Sequence, residues 1–338
     1  MVFVTGATGI LGRVIVLELL KKGRMVRAAK RPTSNLIEVK NSYRHYTENS
    51  DDFFSKIQWV DVDFEDIHSV EAALKDVTEV YHCAAKVGYN PKDSKEIYRT
   101  NTKSTENLLY ACEDSTVKKF LHVSSIAVLD LFNENGELDE SSDFNPKEDH
   151  SAYAISKHMS EMEVWRASAE GLNAIIINPG MIIGTGNWGK SSGDVFPTFE
   201  KNSFTFSGGT SYVDVRDVAE IAVHLMEKEK FGERFVIVSE TKKYAEIGEQ
   251  IRKKLGLKQA KILPKNILQI GRVANVLLGW LFPQLRMATK TNIEAVSNLN
   301  FISNKKIKER LGYQFIPVSE SIDFHLNNYI NDKKLNKK

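Results

Sequence analysis

Cysteine is nearly absent. Cys83 and Cys112 are the only two in 338 residues. Two cysteines support neither a disulfide framework nor a C-x-x-C metal pattern, so no metal is expected and a reducing cytoplasm is the expected compartment. Long apolar runs are missing too. The longest, 273–282, contains Asn275 and is too short to span a bilayer. A buried lid or pocket helix is expected there rather than a membrane segment. Excess charge of one sign is also lacking. Lys+Arg 46 against Asp+Glu 44 leaves no broad electrostatic footprint for nucleic acid, and a small molecule is the expected partner. No signal peptide is expected, because the first residues already read as a core strand. There is no internal repeat and no low-complexity tract. The Lys-rich end, 331–338, reads as a flexible, solvated tail.

What is present starts at the N-terminus. The apolar run Val2-Phe3-Val4 leads into Thr5-Gly6-Ala7-Thr8-Gly9-Ile10-Leu11-Gly12 and then a helical pattern over 13–22. A strand, a glycine-spaced turn and a helix in that order suit a pyrophosphate, which takes backbone N–H groups and the positive end of the helix. Gly6 permits the turn, Gly9 removes a Cβ that would block phosphates, and Gly12 lets the helix sit on the strand. The spacing is G-x-x-G-x-x-G.

Strand-like and helix-like segments then alternate. Residues 25–29, 57–62, 79–82, 119–123 and 174–177 read as short, buried strands, and 235–238 as a late addition. Helical patterns cover 67–74, 94–112 and 153–169, and two loops look inserted, 35–55 and 132–150. The alternation predicts an α/β protein with a Rossmann-type, doubly wound parallel sheet. A smaller, mainly helical C-terminal substrate lobe completes it. The dinucleotide-binding domain is expected over 1–180, with 211–240 returning to it. The substrate lobe takes 181–210 and 241–330. The ligand cleft belongs at the carboxyl ends of the strands.

Tyr153-Ala154-Ile155-Ser156-Lys157 places a phenol and an ammonium on one helical face. A phenol titrates near 10, too high for a base at neutral pH. A nearby ammonium and a cationic nicotinamide both favour phenolate, and a drop of roughly three units is about 4 kcal/mol. Tyr153 could then exchange a proton with a carbonyl or alcohol oxygen. Val123-Ser124-Ser125 ends a strand where a doubly wound sheet presents ligands, and a serine hydroxyl there can orient the substrate oxygen.

The series TGATGILG, VDF, HCAA, Asn101, VSS, YAISK, NPG and YVDVRDVA resembles the extended short-chain dehydrogenase/reductases. Within them the chain is most similar to the dihydroflavonol-reductase and 3-beta-hydroxysteroid-dehydrogenase-like branch. The resemblance implies a catalytic set of Ser125, Tyr153 and Lys157, with Asn101 on a central helix beside them. It selects Ser125 over Ser124. From the residues alone, Asn101 reads equally as a helix N-cap. The resemblance also implies that Lys157 contacts the nicotinamide ribose. It further implies that two chains pair through the helices carrying Asn101 and Tyr153.

The cofactor is read from the second strand. NAD-specific sites place an acid about twenty residues past the glycines. Here that stretch is Val26-Arg27-Ala28-Ala29-Lys30-Arg31, with no acid between Glu18 and Glu38. Arg27, Lys30 and Arg31 suit a 2′-phosphate, so NADP(H) is expected over NAD(H). By resemblance, Asp63 and Phe64 contact adenine, although Asp63 reads equally as a loop cap. Cys83, Ala84 and Ala85 lie against the cofactor, and Asn178, Pro179 and Gly180 run along the nicotinamide. The glycine turn contributes Gly6, Thr8, Gly9, Ile10, Leu11 and Gly12.

Three chemistries compete. A ketone or aldehyde reductase fits the intact Ser–Tyr–Lys set. A non-catalytic redox sensor on this fold would typically lack the tyrosine. A nucleotide-sugar dehydratase needs carboxylates beside the serine, where this chain has Ile126-Ala127. A nucleotide-sugar epimerase with tightly bound NAD is the alternative. Many carry Arg-Asp before the late aromatic strand, and here the stretch is Gly209-Thr210-Ser211-Tyr212. Arg216, Arg234, Arg272 and Arg286 remain as possible diphosphate ligands. The aromatic side chains Trp188, Phe196, Phe204, Phe206 and Trp280 suit an apolar substrate but read more readily as core.

Overall fold

The computed structural model describes residues 1–189, 191–278 and 282–335. Strand β1 (Val2–Thr5) is buried along its length, with Val2 and Val4 facing one apolar layer and Phe3 the other. The glycine turn leads into α1 (Ile10–Lys21), and β2 (Val26–Lys30) returns parallel to β1. Two short helices, α2 (Leu36–Tyr43) and α3 (Ser50–Ser55), occupy the stretch expected to be a loop. Asn35 starts α2 by accepting from Glu38 N, and both helices are too short to show a clear apolar period. Then follow β3 (Gln58–Asp61), α4 (Ile67–Ala73) and β4 (Glu79–His82).

The helix expected over 94–112 is one column with a defect. It comprises α5 (Ser94–Tyr98), a π-helical turn over Arg99–Lys103, and α6 (Ser104–Glu113). Strand β5 (Lys119–Val123), helix α7 (Ala152–Ala169) and strand β6 (Asn173–Pro179) complete the first half.

Beyond it the chain weaves between two layers. It makes β7 (Met181–Ile183), α8 (Val195–Lys201), β8 (Phe204–Phe206), β9 (Gly209–Asp214), α9 (Val215–Glu227) and β10 (Glu233–Ile237). Then come β11 (Glu240–Lys243), α10 (Tyr244–Lys254), β12 (Lys261–Leu263), α11 (Lys265–Leu278), α12 (Lys290–Ser297), α13 (Lys305–Leu311) and α14 (Val318–Leu335).

Among the described residues, seven strands form one parallel sheet in the order β3-β2-β1-β4-β5-β6-β10. Helices α1 and α9 cover one face through Val14, Leu17, Val218 and Ala222. Helices α4, α6 and α7 cover the other through Val70, Leu108 and Val164. This is the doubly wound Rossmann arrangement. The chain direction across the sheet reverses between β1 and β4, which sets the ligand crevice there.

The second lobe contains more strand than expected. β7 pairs with β9 in parallel and β11 with β9 antiparallel, while β12 pairs with β8. Residues 209–214 therefore belong to this small sheet, and the chain returns to the main sheet only through α9 and β10. Its core joins Tyr212, Phe196, Ile247, Ile322 and Tyr329. Residues 331–335, expected as a frayed tail, are the last turn of α14. Asp332 there accepts from Arg44 (2.6 Å) and Trp188 (3.0 Å), which anchors the end. Residues 336–338 lie outside the described residues. So do 279–281 of the apolar run 273–282, including Trp280; residues 273–278 close α11. Among the described residues no helix is long and apolar enough to cross a membrane.

Candidate active site

Each glycine of the turn answers a different steric demand. Gly6 has φ +62°, and a Cβ on it would stand 2.7 Å from the Ala84 nitrogen. A Cβ on Gly12 would stand 2.3 Å from Gly6 O, so α1 could not approach the turn. Gly9 is different. Its Cβ would meet only Gly6 O, at 3.1 Å, and otherwise project into open space. That is a cradle a side chain would fill. Gly9 is also the N-cap of α1 and brings no side chain to it. The first N–H groups of α1, from Ile10, Leu11 and Gly12, therefore remain for an anion.

The turn is held from below by a residue the sequence did not flag. Arg13 is completely buried. Its guanidinium donates to Thr8 O (2.6 Å) and Gly9 O (3.2 Å) and pairs with both Glu38 oxygens (2.7 and 2.8 Å). Glu38 also accepts from Asn187 N at 2.7 Å, which ties the turn to the loop after β7. On the sequence, Arg13 is one charge on an apolar helix and Glu38 lies in the expected loop. Only the fold joins them.

A second buried chain fixes the end of β4. Thr105 Oγ1 donates to Asn101 O, so His82 Nε2 must donate to Thr105 (2.9 Å). His82 Nδ1 then accepts from Thr5 Oγ1 (2.7 Å), which in turn accepts from Cys83 N and Ala84 N. Burial lowers the His82 pKa to about 3, consistent with a neutral ring. The small residues Cys83, Ala84 and Ala85 thus leave β4 on a fixed path beside Gly6. Burial raises the Cys83 thiol to about 12, which argues for packing rather than chemistry.

Helix α7 brings Tyr153 and Lys157 together. Ser151 caps it by accepting from Ala154 N (3.1 Å), so Tyr153 lies in the first turn. Ser125, just past β5, accepts from Ala127 N and lies beside Tyr153. Lys157 is 2% exposed, and its ammonium donates to Val123 O at 2.6 Å. Burial lowers the Lys157 pKa to about 8. The phenol behaves otherwise than its neighbours in sequence imply. Burial and nearby Tyr89 push Tyr153 above its ordinary pKa of 10, against the pull of Ser125. The protein alone therefore holds a neutral phenol, a proton donor.

Asn101 is not an N-cap. It sits in the π turn, 1% exposed, with Oδ1 accepting from Lys86 N (2.7 Å). Its Nδ2 donates to Lys86 O (3.0 Å) and Ser156 Oγ (2.9 Å). It braces the chain leaving β4 against the Tyr153 helix, and π turns are frequent at functional sites.

The basic edge divides. Arg31, at the carboxyl end of β2, is exposed. Lys30 pairs with Asp61 at 2.5 Å on the neighbouring strand. Arg27 is elsewhere: its guanidinium donates to Ala73 O and Lys75 O, both at 2.7 Å, and to Gln58. It closes the end of α4 at the opposite end of β2. Four residues of strand span roughly 13 Å, so Arg27 does not share the 2′-phosphate expected at Arg31. Asp63 is exposed and accepts from Glu65 N (2.9 Å), the loop-cap geometry. Phe64 packs on the core beside it.

Near the end of β6, Asn178 Nδ2 donates to Ser125 O (3.1 Å) and Glu161 Oε1 (2.7 Å), while its Oδ1 is buried without a partner. Pro179 ends the strand. Gly180 has a packing role: a Cβ there would stand 2.5 Å from Ser211 O of β9. Tyr89 stands near Tyr153 and Tyr244 near Tyr89, with the Phe206 ring 6.5 Å from Tyr244. No sequence signal singled out those tyrosines. Trp188 and Phe196 instead pack in the second-lobe core against Tyr329. A surface recess of about 500 Å³ between Glu137 and Lys308 contains none of these residues. Cradle, basic edge and orphaned acceptor fit a nicotinamide dinucleotide.

Comparison with known proteins agrees. A model of the NAD dependent epimerase/dehydratase family matches residues 2–238. Sterol demethylase protein B of Methylococcus capsulatus is 27% identical over 88% of this chain and 87% of its own. A putative dihydroflavonol 4-reductase of Synechocystis is 28% identical over 66% of this chain and 62% of its own. In fold, the chain is similar to the Thermus thermophilus UDP-glucose 4-epimerase in complex with NAD. The TM-score is 0.72 at 20% identity, covering 97% of this chain and 98% of that one.

Proposed function

The chain belongs to the NAD-dependent epimerase/dehydratase family, and on that premise we propose that it is an NADP(H)-dependent oxidoreductase interconverting a ketone or aldehyde and an alcohol. The observation that carries this reading is the neutral, half-buried phenol of Tyr153 beside Ser125 at the carboxyl end of β5. When bound, the dinucleotide supplies or accepts hydride at the substrate carbon. The first turn of α1 would hold its pyrophosphate, and Lys157 its nicotinamide ribose. Asp63 and Phe64 would hold its adenine, and Lys30 and Arg31 its 2′-phosphate. In the reductive direction Tyr153 gives its proton to the substrate oxygen, which Ser125 orients. Lys157 supports the phenolate left behind.

Two structural features favour a carbonyl substrate over a sugar diphosphate. Tyr89 stands near Tyr153 and Tyr244 near Tyr89, and both are aromatic and uncharged. Two of the four arginines that could hold a diphosphate are engaged elsewhere. Arg216 pairs with Asp214 (2.7 Å), and Arg234 donates to Glu140 O and Ser142 O. The test is a screen of ketones, aldehydes, steroids and UDP-sugars by NADPH absorbance. Stoichiometric NADPH loss with a carbonyl, abolished in Tyr153→Phe with cofactor affinity kept, is the expected result. Turnover above a few per cent in Tyr153→Phe refutes the acid/base assignment. UDP-sugar interconversion on tightly held NAD, without net cofactor use, refutes the reductase reading.

A further inference from the structure

The face of α7 that carries Tyr153 and Lys157 continues to Glu161, one further turn on. Glu161 is 2% exposed, and a buried carboxyl needs specific partners. It has two kinds. Oε1 accepts from Asn178 Nδ2 at 2.7 Å, and Oε2 lies 3.5 Å from Arg234 on β10. The same Asn178 nitrogen donates to Ser125 O at 3.1 Å. Both acceptors are oxygens, so the amide orientation is determined, with nitrogen toward Glu161 and oxygen away. That oxygen is the buried, unpartnered Oδ1. Glu161 is thus joined to the Ser125 backbone through one amide.

We propose that Glu161 is a positioning residue of the active site: it orients Asn178 against Ser125 and is the counter-charge that keeps Lys157 an ammonium. The surroundings of Lys157 explain why a counter-charge is needed. Its ammonium donates to one carbonyl, Val123 O. Near it are the neutral His82 of β4, Cys83 just past that strand, and His122 of β5, with Glu161 on its own helix. His122 is fully buried, both its ring nitrogens are unpartnered, and burial holds its pKa well down. Burial favours the neutral amine at Lys157, and Glu161 is the largest opposing influence. Around Glu161 itself stand Arg234 of β10 and, on α7, His158, whose pKa burial lowers.

The two effects separate by substitution. Glu161→Gln keeps shape and an acceptor but removes the charge. Glu161→Asp keeps the charge but withdraws it by one methylene. Lys157 is followed by NMR of ¹³Cε-labelled lysine in cofactor-free protein, its resonance identified by loss in Lys157→Met. Removing a nearby carboxylate favours the amine, so the midpoint falls. The expected drop is about one unit in Glu161→Gln and less in Glu161→Asp. The high-pH limb of kcat/KM moves down in the same order. A merely structural role lowers the plateau and leaves the limb in place. An unchanged Lys157 midpoint in both folded variants overturns the proposal. If only Glu161→Asp folds, an unchanged midpoint there also overturns it. The kinetic arm rests on the proposed function; the NMR arm needs no substrate and can fail or succeed independently.

Discussion

Replacing Arg13 with Met tests whether the glycine turn is held from beneath. Met roughly fills the stem and removes the guanidinium. Two bonds to Glu38, at 2.7 and 2.8 Å, are lost, and so are those to Thr8 O and Gly9 O. Breaking a buried pair by removing one partner costs about 3–5 kcal/mol. Glu38 retains 33% side-chain exposure, so water recovers part of that, leaving about 2 kcal/mol. The two carbonyls add about 1 kcal/mol after partial rehydration. The sum is about 3 kcal/mol, or a fall in Tm of about 4 °C for a chain of this size. Glu38→Gln and the double variant close the cycle. A coupling of about 1–3 kcal/mol is expected because the two side chains share their bonds. The same loss should weaken NADPH binding at least tenfold (about 1.4 kcal/mol), since the turn no longer presents Gly9 and the α1 N–H groups together. Thermal melts and cofactor fluorescence titrations give both numbers. A stability loss below about 1 kcal/mol with zero coupling would mean the turn supports itself.

Cofactor choice should depend on Lys30 and Arg31 and not on Arg27. Wild type should prefer NADPH roughly tenfold to a hundredfold (about 1.4–3 kcal/mol), less at high salt. Lys30→Asp with Arg31 made neutral should reverse this in calorimetric titrations, while Arg27→Met should leave the ratio unchanged. Equal affinity of wild type for NADH and NADPH would mean the basic edge only faces solvent. Asp217 provides a pH test. It accepts from Ile316 N and Tyr313 (both 3.0 Å), and burial raises its carboxyl to about 7. The folded value lies above the unfolded one, so its contribution is complete below about pH 4 and is lost as pH rises through about 7. Denaturant titrations should show that decline in wild type and not in Asp217→Asn. An identical pH slope in both would refute the assignment.

The sequence by itself determined the sheet and the outline of the site. Alternation of short apolar strands with amphipathic helices has few topological solutions, and the turn Gly6–Gly12 fixes where the first helix begins. The i, i+4 spacing of Tyr153 and Lys157 needs only helical geometry. Contacts between residues distant in the chain were decided by tertiary structure alone. Arg27 and Arg31 look equivalent along a strand, yet one end of β2 meets α4 and the other faces the ligand crevice. Asn101 reads as a cap until the π turn rotates its amide onto Lys86. Short strands such as β7, β8 and β12 carry three residues each, too few for a period, and form because partners are supplied from elsewhere. Burial is likewise a property of the assembled molecule. It raises the Tyr153 phenol above its ordinary pKa and lowers the Lys157 ammonium against the opposing Glu161 carboxylate, influences that sequence spacing could place but not weigh.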